Sequence, residues 1–326
     1  MNIFANRSIG VELDDYEIRA VELHKRAGGI HLSGCYRISL PPEIVKDGKI
    51  TESQVVSEYL SSLWSGNKLN KDNITLGLSN QDILIRKTAM PAVPKDRLDL
   101  LVANNAQDYI PTPLENAVLD YMVVGRSEED GTEMLDILLV AAASAMIEDF
   151  YQCFNSLGYG IKDIKVSALS IADTVHKANL DGNVVLVDIS NNHGNLVIYS
   201  GGEPMLARQL RINLVEATGL IPSDAHNQME LMDIVLSTWA QILYNEIRAS
   251  IQYFQAQEDV QVVDKILLSG CGSRIIGLDK ELERISGIAV EHIDPVEKIR
   301  TSKSRPFGGQ VADFATCIGL ALAGLE

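Results

Sequence analysis

A chain of 326 residues with 46% hydrophobic content is long enough for two cores and too apolar to stay unfolded. Its 28 Lys and Arg face 44 Asp and Glu, a formal charge of −16, so a nucleic-acid backbone or anionic lipid face would be repelled. The densest basic stretch, Arg300 to Arg305, holds three cations in a Ser-rich loop and reads as solvated. Cys35, Cys153, Cys271 and Cys317 are scattered, without a Cys-x-x-Cys pair, and read as small apolar fillers in a reducing compartment. No His and Cys spacing suits a structural metal, and nowhere do 18 apolar residues run together. The expectation is a cytoplasmic protein that reaches a membrane only through a partner.

In chain order, Ser8 to Leu13 and Glu17 to His24 read as strands joined by the turn Asp14-Asp15-Tyr16, and Ile30 to Leu40 as a third strand ending at Pro41-Pro42. Ser53 to Trp64 sets Val55, Val56, Tyr59, Leu60 and Leu63 at helical spacing, and Ile74 to Leu78 is a buried strand. Three strands, a helix and a strand open a ribonuclease-H-like half-domain.

A different unit follows. Ile83 to Met90 reads as a strand, and Lys95 to Tyr109 as a helix stopped by Pro111 and Pro113. Ala117 to Val124 and Leu135 to Ala141 are strands joined by a charged loop, Arg126 to Glu133. Ser144 is the expected N-cap of a helix carrying Ile147, Phe150, Tyr151 and Phe154, ended by Gly158. Ile161 to Val166 closes this strand–helix–strand–strand module, and Leu169 to Asn179 reads as a linking helix.

From Asn183 the chain repeats its opening. Val184 to Asp188, Leu196 to Tyr199 and Pro204 to Leu210 are short apolar runs separated by Ser190-Asn191-Asn192-His193-Gly194-Asn195 and Gly201-Gly202. Asn213 to Asn227 is irregular. Leu231, Val235, Trp239, Leu243, Ile247, Ile251 and Phe254 mark a long helix. After the strand Lys265 to Leu268, Ser269 to Arg274 opens a helix running to Ser286. Ala289 to His292 is a last strand and Val311 to Leu325 the closing helix. Two halves that each begin strand–turn–strand suggest an internal duplication.

Several segments, in order, resemble the type IV pilus assembly protein PilM family, relatives of the cell-division actin homologue FtsA. They are Ile9-Gly10-Val11-Glu12-Leu13, Arg19-Ala20-Val21-Glu22-Leu23, Leu40-Pro41-Pro42 with Asp47-Gly48-Lys49-Ile50, and Tyr109-Ile110-Pro111-Thr112-Pro113-Leu114-Glu115. Val187-Asp188-Ile189, Glu246 to Phe254, Leu267 to Gly272 and Ile318 to Leu322 continue the pattern. The resemblance implies an α/β, actin-like fold of duplicated ribonuclease-H-like domains with an inserted 1C module of SHS2 type. Subdomain 1A would take residues 1–82 and 167–182, the insert 83–166, and the second domain 183–326, with its 2B part reduced to about 213–227. The family also implies a cytoplasmic adaptor in the inner-membrane platform of a pilus or related secretion system. Such adaptors grip the cytoplasmic N-terminal tail of the bitopic membrane protein PilN in a groove near 1A and 1C. By analogy Tyr109, Ile110 and Pro111 are the candidate partner-binding residues. FtsA attaches to membrane through a C-terminal amphipathic helix; this sequence ends just after the closing helix, so no direct membrane insertion is expected.

The same resemblance implies a site for ATP and Mg²⁺, whose candidate residues are Glu12, Asp14, Asp15, Arg19, Asp188, Ser190, Asn191, Asn192, Gly270, Gly272 and Ser273. Where family members place Gly and Ser in the first turn, this chain has Asp14 and Asp15. Two like charges at about 4 Å repel by on the order of 1 to 4 kcal/mol. Ser190 replaces a usual Gly, and His193 reads as a turn histidine facing solvent rather than a general base. Gly270 and Gly272 permit close backbone approach before Ser273, but Ile275 breaks a dinucleotide fingerprint. No Lys lies between Lys177 and Lys265 to contact a ribose. The expectation is a degenerate nucleotide site, no catalytic residue and no metal. The alternative is an active Mg·ATP-binding ATPase in which Glu12 and Asp188 hold Mg²⁺ through water.

Overall fold

The computed structural model describes residues 6–110, 116–220, 229–258, 262–301 and 308–326. The chain opens with β1 (Arg7–Leu13), β2 (Glu17–Arg26) and β3 (Gly29–Ser39), an antiparallel meander. A small hairpin of β4 (Val45–Lys46) and β5 (Lys49–Ile50) leads to α1 (Ser53–Asn67) and then to β6 (Ile74–Leu78). The insert comprises β7 (Leu84–Pro91), α2 (Lys95–Tyr109), β8 (Ala117–Glu129) and β9 (Thr132–Ala143). The chain then returns through α3 (Ser144–Asn155), β10 (Ile161–Val166) and the single turn α4 (Ser167–Ser170).

The second half holds β11 (Asn183–Ile189), β12 (Gly194–Ser200), β13 (Glu203–Leu210), the short α5 (Leu214–Thr218) and the long α6 (Asp233–Glu258). β14 (Lys265–Ser269), α7 (Leu278–Ser286), β15 (Ala289–His292) and α8 (Ala315–Ala323) complete it. The two large sheets have the orders β10-β6-β1-β2-β3 and β13-β12-β11-β14-β15. Counted within each half, both place the first strand centrally, between the second and the fourth. That is the duplication expected from the sequence. Among the described residues no helix is long and apolar enough to cross a membrane.

Each half buries its own core because its central strands are apolar on both faces. In the first, Trp64 of α1 stacks on Tyr159 with ring centroids 5.0 Å apart and meets the edge of Phe154 at 6.0 Å. Such ring pairs contribute roughly 0.5–1.5 kcal/mol beyond burial. Gly10 lets α8 lie against β1, since a Cβ there would sit 2.6 Å from the backbone nitrogen of Ala321. The last helix therefore packs on the first sheet, where Cys317, Ile318 and Ala321 meet Val21 and Leu23. A division at residue 183 leaves this return of the chain out.

Several expectations are corrected. Ile161–Val166 is not part of the small sheet, whose order is β7-β9-β8; it pairs with β6 as the edge of the first large sheet. Phe150 and Phe154 of α3 likewise lie in the first core. The charged loop 126–133 is a continuation of β8 and β9, turning only at Asp130 and Gly131, whose φ values are 51° and 75°. Ser144 is the first helical residue rather than the cap, which is Ala143. The stretch 169–179 breaks into α4 and two 3-10 turns because Val175 is extended. No helix begins at Ser273: Cys271–Arg274 is one 3-10 turn, and α7 starts only after Gly277 at φ 81°. Likewise α8 begins at Ala315, after a 3-10 turn. Of the reduced 2B stretch, only 213–220 falls within the described residues, and it contains α5.

Candidate functional site

The β1–β2 turn and the β11–β12 turn come from opposite halves and meet. Asp14 folds the first: its Oδ1 accepts the backbone N–H groups of Tyr16 at 2.8 Å and Glu17 at 2.9 Å. Ser190 closes the second by donating its N–H to the carbonyl of His193 at 2.9 Å. Between them lies Arg19, 1% exposed, donating to Glu12 Oε2 at 2.8 Å, Asp14 Oδ2 at 3.3 Å, Ser190 Oγ at 3.2 Å and the Asp313 carbonyl at 2.8 Å. Asn191 Nδ2 reaches back across to Asp14 Oδ2 at 3.1 Å. The structure thus brings together Glu12, Asp14, Arg19, Ser190 and Asn191. Asp188 stands beside them, its Oδ2 accepting from Thr316 Oγ1 at 3.3 Å.

Asp15 and Asn192 do not join this cluster. Asp15 accepts the backbone N–H groups of Asp47 and Gly48 in the β4–β5 turn, and Asn192 Oδ1 lies 3.1 Å from His193 Nδ1. The glycines are used for packing. Gly270, at φ 80°, and Gly272 both lie where a Cβ would overlap Ile189. Ser273 Oγ donates to the Gly270 carbonyl at 2.7 Å. His193 is corrected as well: it is 5% exposed, its Nε2 has no hydrogen-bond partner among the described residues, and burial pushes its pKa down to about 4.

Residues that the sequence did not single out complete the cluster. Asp313 accepts from Arg37 at 2.7 Å and from Arg274 Nε at 2.7 Å, and Glu17 lies 3.6 Å from both Arg19 and Arg37. A signal for Glu17 existed, since it shares the parity of Arg19, Val21 and Leu23 along β2. Burial pushes Glu12 up to about 7 against the opposing pull of Arg19, and Asp188 and Asp14 add to the rise. Glu17 rises to about 7 for the same primary reason. Burial would lower Arg19, but Glu12, Asp14 and Glu17 hold it above its ordinary value. Burial also raises Asp188. Among the described residues Glu12 Oε1 and Asp188 Oδ1 are buried without a hydrogen bond of good geometry, although the Ser167 hydroxyl beside Glu12 and the Ser269 hydroxyl beside Asp188 favour their charged forms.

A second concave surface lies between the insert and the first sheet, a groove of about 430 Å³. Along β8 alternate residues face opposite ways. Leu119 and Tyr121 turn towards the core under α2, where Tyr121 Oη donates to Asp99 at 2.6 Å. Val118 and Met122 turn the other way, 46% and 40% exposed, onto the groove. Ile147 of α3 and Ile164 of β10 form the facing wall, and β10 is a sheet edge. Four carboxylates line it, Asp120, Asp163, Asp173 and Glu326, against one cation, Lys165. Tyr109 and Ile110 lie elsewhere: Ile110 is buried in the core of the insert and Tyr109 is exposed at the end of α2. Pro111 lies outside the described residues.

Among solved structures, a chain of the PilM-PilN type IV pilus biogenesis complex is similar over 98% of both chains, at 22% identity and a TM-score of 0.82. The ethanolamine utilization protein EutJ of Carboxydothermus hydrogenoformans matches over 97% of this chain and 89% of its own, at 10% identity and TM-score 0.56. MreB 5 of Spiroplasma citri, bound to AMPPNP, matches over 96% and 94%, at 11% identity and TM-score 0.50. These likenesses establish the actin-like fold. The model of the type IV pilus assembly protein PilM family matches residues 10–325, and the chain belongs to that family.

Proposed function

We propose that the chain is a docking adaptor of a type IV pilus or related inner-membrane platform. It holds the cytoplasmic N-terminal tail of a PilN-like bitopic membrane protein in the groove between the insert and β10. The observation that carries this reading is the groove itself: exposed Val118 and Met122 on one wall, an edge strand on the other and four carboxylates around them. Cytoplasmic tails next to membrane spans are enriched in Lys and Arg, the complement of this lining. An extended tail can also bond to a sheet edge and seat alternate side chains in the groove. Family membership and the likeness to a chain of a PilM-PilN complex support the same partner. The chain then sits at the membrane through that partner. Co-purification with the detergent-solubilised partner is expected for the wild type and lost for Val118→Asp; retention by that variant would contradict the groove assignment.

In this reading the nucleotide seat is closed. The residues present do not fit a triphosphate, because the two turns that would flank it bond to each other through Arg19, Ser190, Asp14 and Asn191. The backbone approach of Gly270 and Gly272 is taken up by Ile189. Titration calorimetry with Mg·ATP is expected to give no saturable heat. One observation favours the alternative ATPase: Glu12 and Asp188 each bury an oxygen whose nearest hydroxyl, on Ser167 or Ser269, makes no hydrogen bond of good geometry among the described residues. ATP turnover abolished by Asp188→Asn would establish that alternative.

A further inference from the structure

Ile83 lines both the tail groove and a second cleft, of about 440 Å³, which runs between β7 of the insert and β13 and α6 of the second half. β7 is an edge of the small sheet and β13 an edge of the second large sheet, so the cleft has a strand edge on each side. Its lining includes Arg86, Arg208 and Arg211 and contains no carboxylate, in a chain with 44 Asp and Glu against 28 Lys and Arg. Arg208 is braced, donating to Ser250 Oγ at 2.8 Å and pairing with Glu246 at 3.0 Å. Arg86 and Arg211 are exposed and have no ion-pair partner among the described residues. Exposed arginines elsewhere are mixed: Arg126 pairs with Glu133 and Arg284 with Glu281, whereas Arg97 and Arg248 have no ion-pair partner among the described residues, so what marks Arg86 and Arg211 is that they share one cleft. Beside the arginines the lining is mixed, with Leu84, Leu206, Ala249 and the half-exposed Tyr253 among Gln81, Gln209 and Ser250.

We propose that this cleft docks an acidic segment of a second protein, one in which carboxylates alternate with apolar side chains. Guanidinium forks match carboxylates, the strand edges offer backbone bonds to an extended chain, and Leu84, Leu206 and Tyr253 meet the alternate side chains. A small phosphate would use the arginines and leave those apolar side chains uncovered. The segment is distinct from the membrane tail, whose groove carries the opposite charge. The chain therefore has two sockets of opposite charge on either side of its insert, and it joins a cationic tail to an acidic partner.

The test uses the full chain and a short fluorescein-labelled peptide in which Glu alternates with Leu, read by anisotropy at low salt. Saturable binding is expected, weakened about tenfold or more in the double variant Arg86→Glu/Arg211→Glu. It is also expected to weaken in about 0.5 M salt and to be absent when Lys replaces Glu in the peptide. Met122→Glu, in the tail groove, is expected to bind the acidic peptide as the wild type does, which separates this socket from the first. No saturable binding by the wild type, or equal binding by a double variant whose circular dichroism is native, would overturn the proposal. Displacement by equimolar inorganic phosphate would reduce the cleft to a simple anion site and overturn it. A dimer dispersed by the peptide in sedimentation would assign the cleft to a second copy of the chain, and would overturn it too.

Discussion

Asp313, just before the last helix, is the residue on which β2, β3 and the Cys271–Arg274 turn converge. It binds Arg37 and Arg274 through its carboxylate and Arg19 through its carbonyl. Removing one member of a buried charge pair costs up to about 3–5 kcal/mol, less where the partner keeps another contact, as Arg37 does with Glu17. Asp313→Ala is expected to lower the unfolding free energy in urea by that order; a change below about 1 kcal/mol would contradict the account. The same cluster sets a pH dependence. Glu12 and Glu17 are raised to about 7, so the folded chain holds their protons more tightly than the unfolded one. The resulting stabilisation is full below the ordinary carboxyl pKa and is lost as pH rises through 7. His193, lowered to about 4, works in the opposite direction, adding stability as pH rises towards 6.5, but the two glutamates outweigh it. Stability is expected to fall between pH 5 and 7, and to fall less in Glu12→Gln, by up to about 3 kcal/mol. Parallel melting curves for the two proteins across that range would contradict this.

At the scale of elements, most of the chain was legible because period and composition agreed. Lys95–Tyr109 shows this: its apolar spacing and following Pro-Thr-Pro fixed both ends. The errors fall where a long-range contact or a backbone angle decides. Asp130-Gly131 is a hairpin signal that the surrounding charges obscured, and the rule for two-residue turns would have found it. In the site, Glu12, Asp14, Arg19 and Asp188 were singled out only through the family resemblance, which the strand–turn–strand repeats alone would not have supplied. Arg37, Arg274 and Asp313 were not, because nothing local pairs residues so distant in sequence. The expected groove's lining was missed for a related reason: whether Val118 and Met122 face a neighbour depends on how the insert sits. The Ser269–Arg274 turn offers an element-scale test. Gly270→Ala must adopt φ near 80° with its Cβ against Ile189, and is expected to cost about 2 kcal/mol or more. Gly131→Ala, also at positive φ but with open space around it, should cost less, by comparison of thermal midpoints.

For the whole molecule, the two duplicated halves are bonded to each other through their first turns, and the two proposed docking surfaces lie beside the insert. Burial, reinforced by Glu326, pushes Asp173 in the groove up to about 6, while Lys165 and Lys298 oppose the rise. A cationic tail is therefore expected to bind more tightly at pH 7.5 than at pH 5.5, where that carboxyl is mostly neutral. The most direct test of the central claim is calorimetric titration of the PilN-like partner's N-terminal tail peptide into the wild type and Met122→Glu, with no nucleotide present. Saturable binding by the wild type alone is the predicted result. Binding that requires Mg·ATP, or that survives Met122→Glu unchanged, would contradict the account.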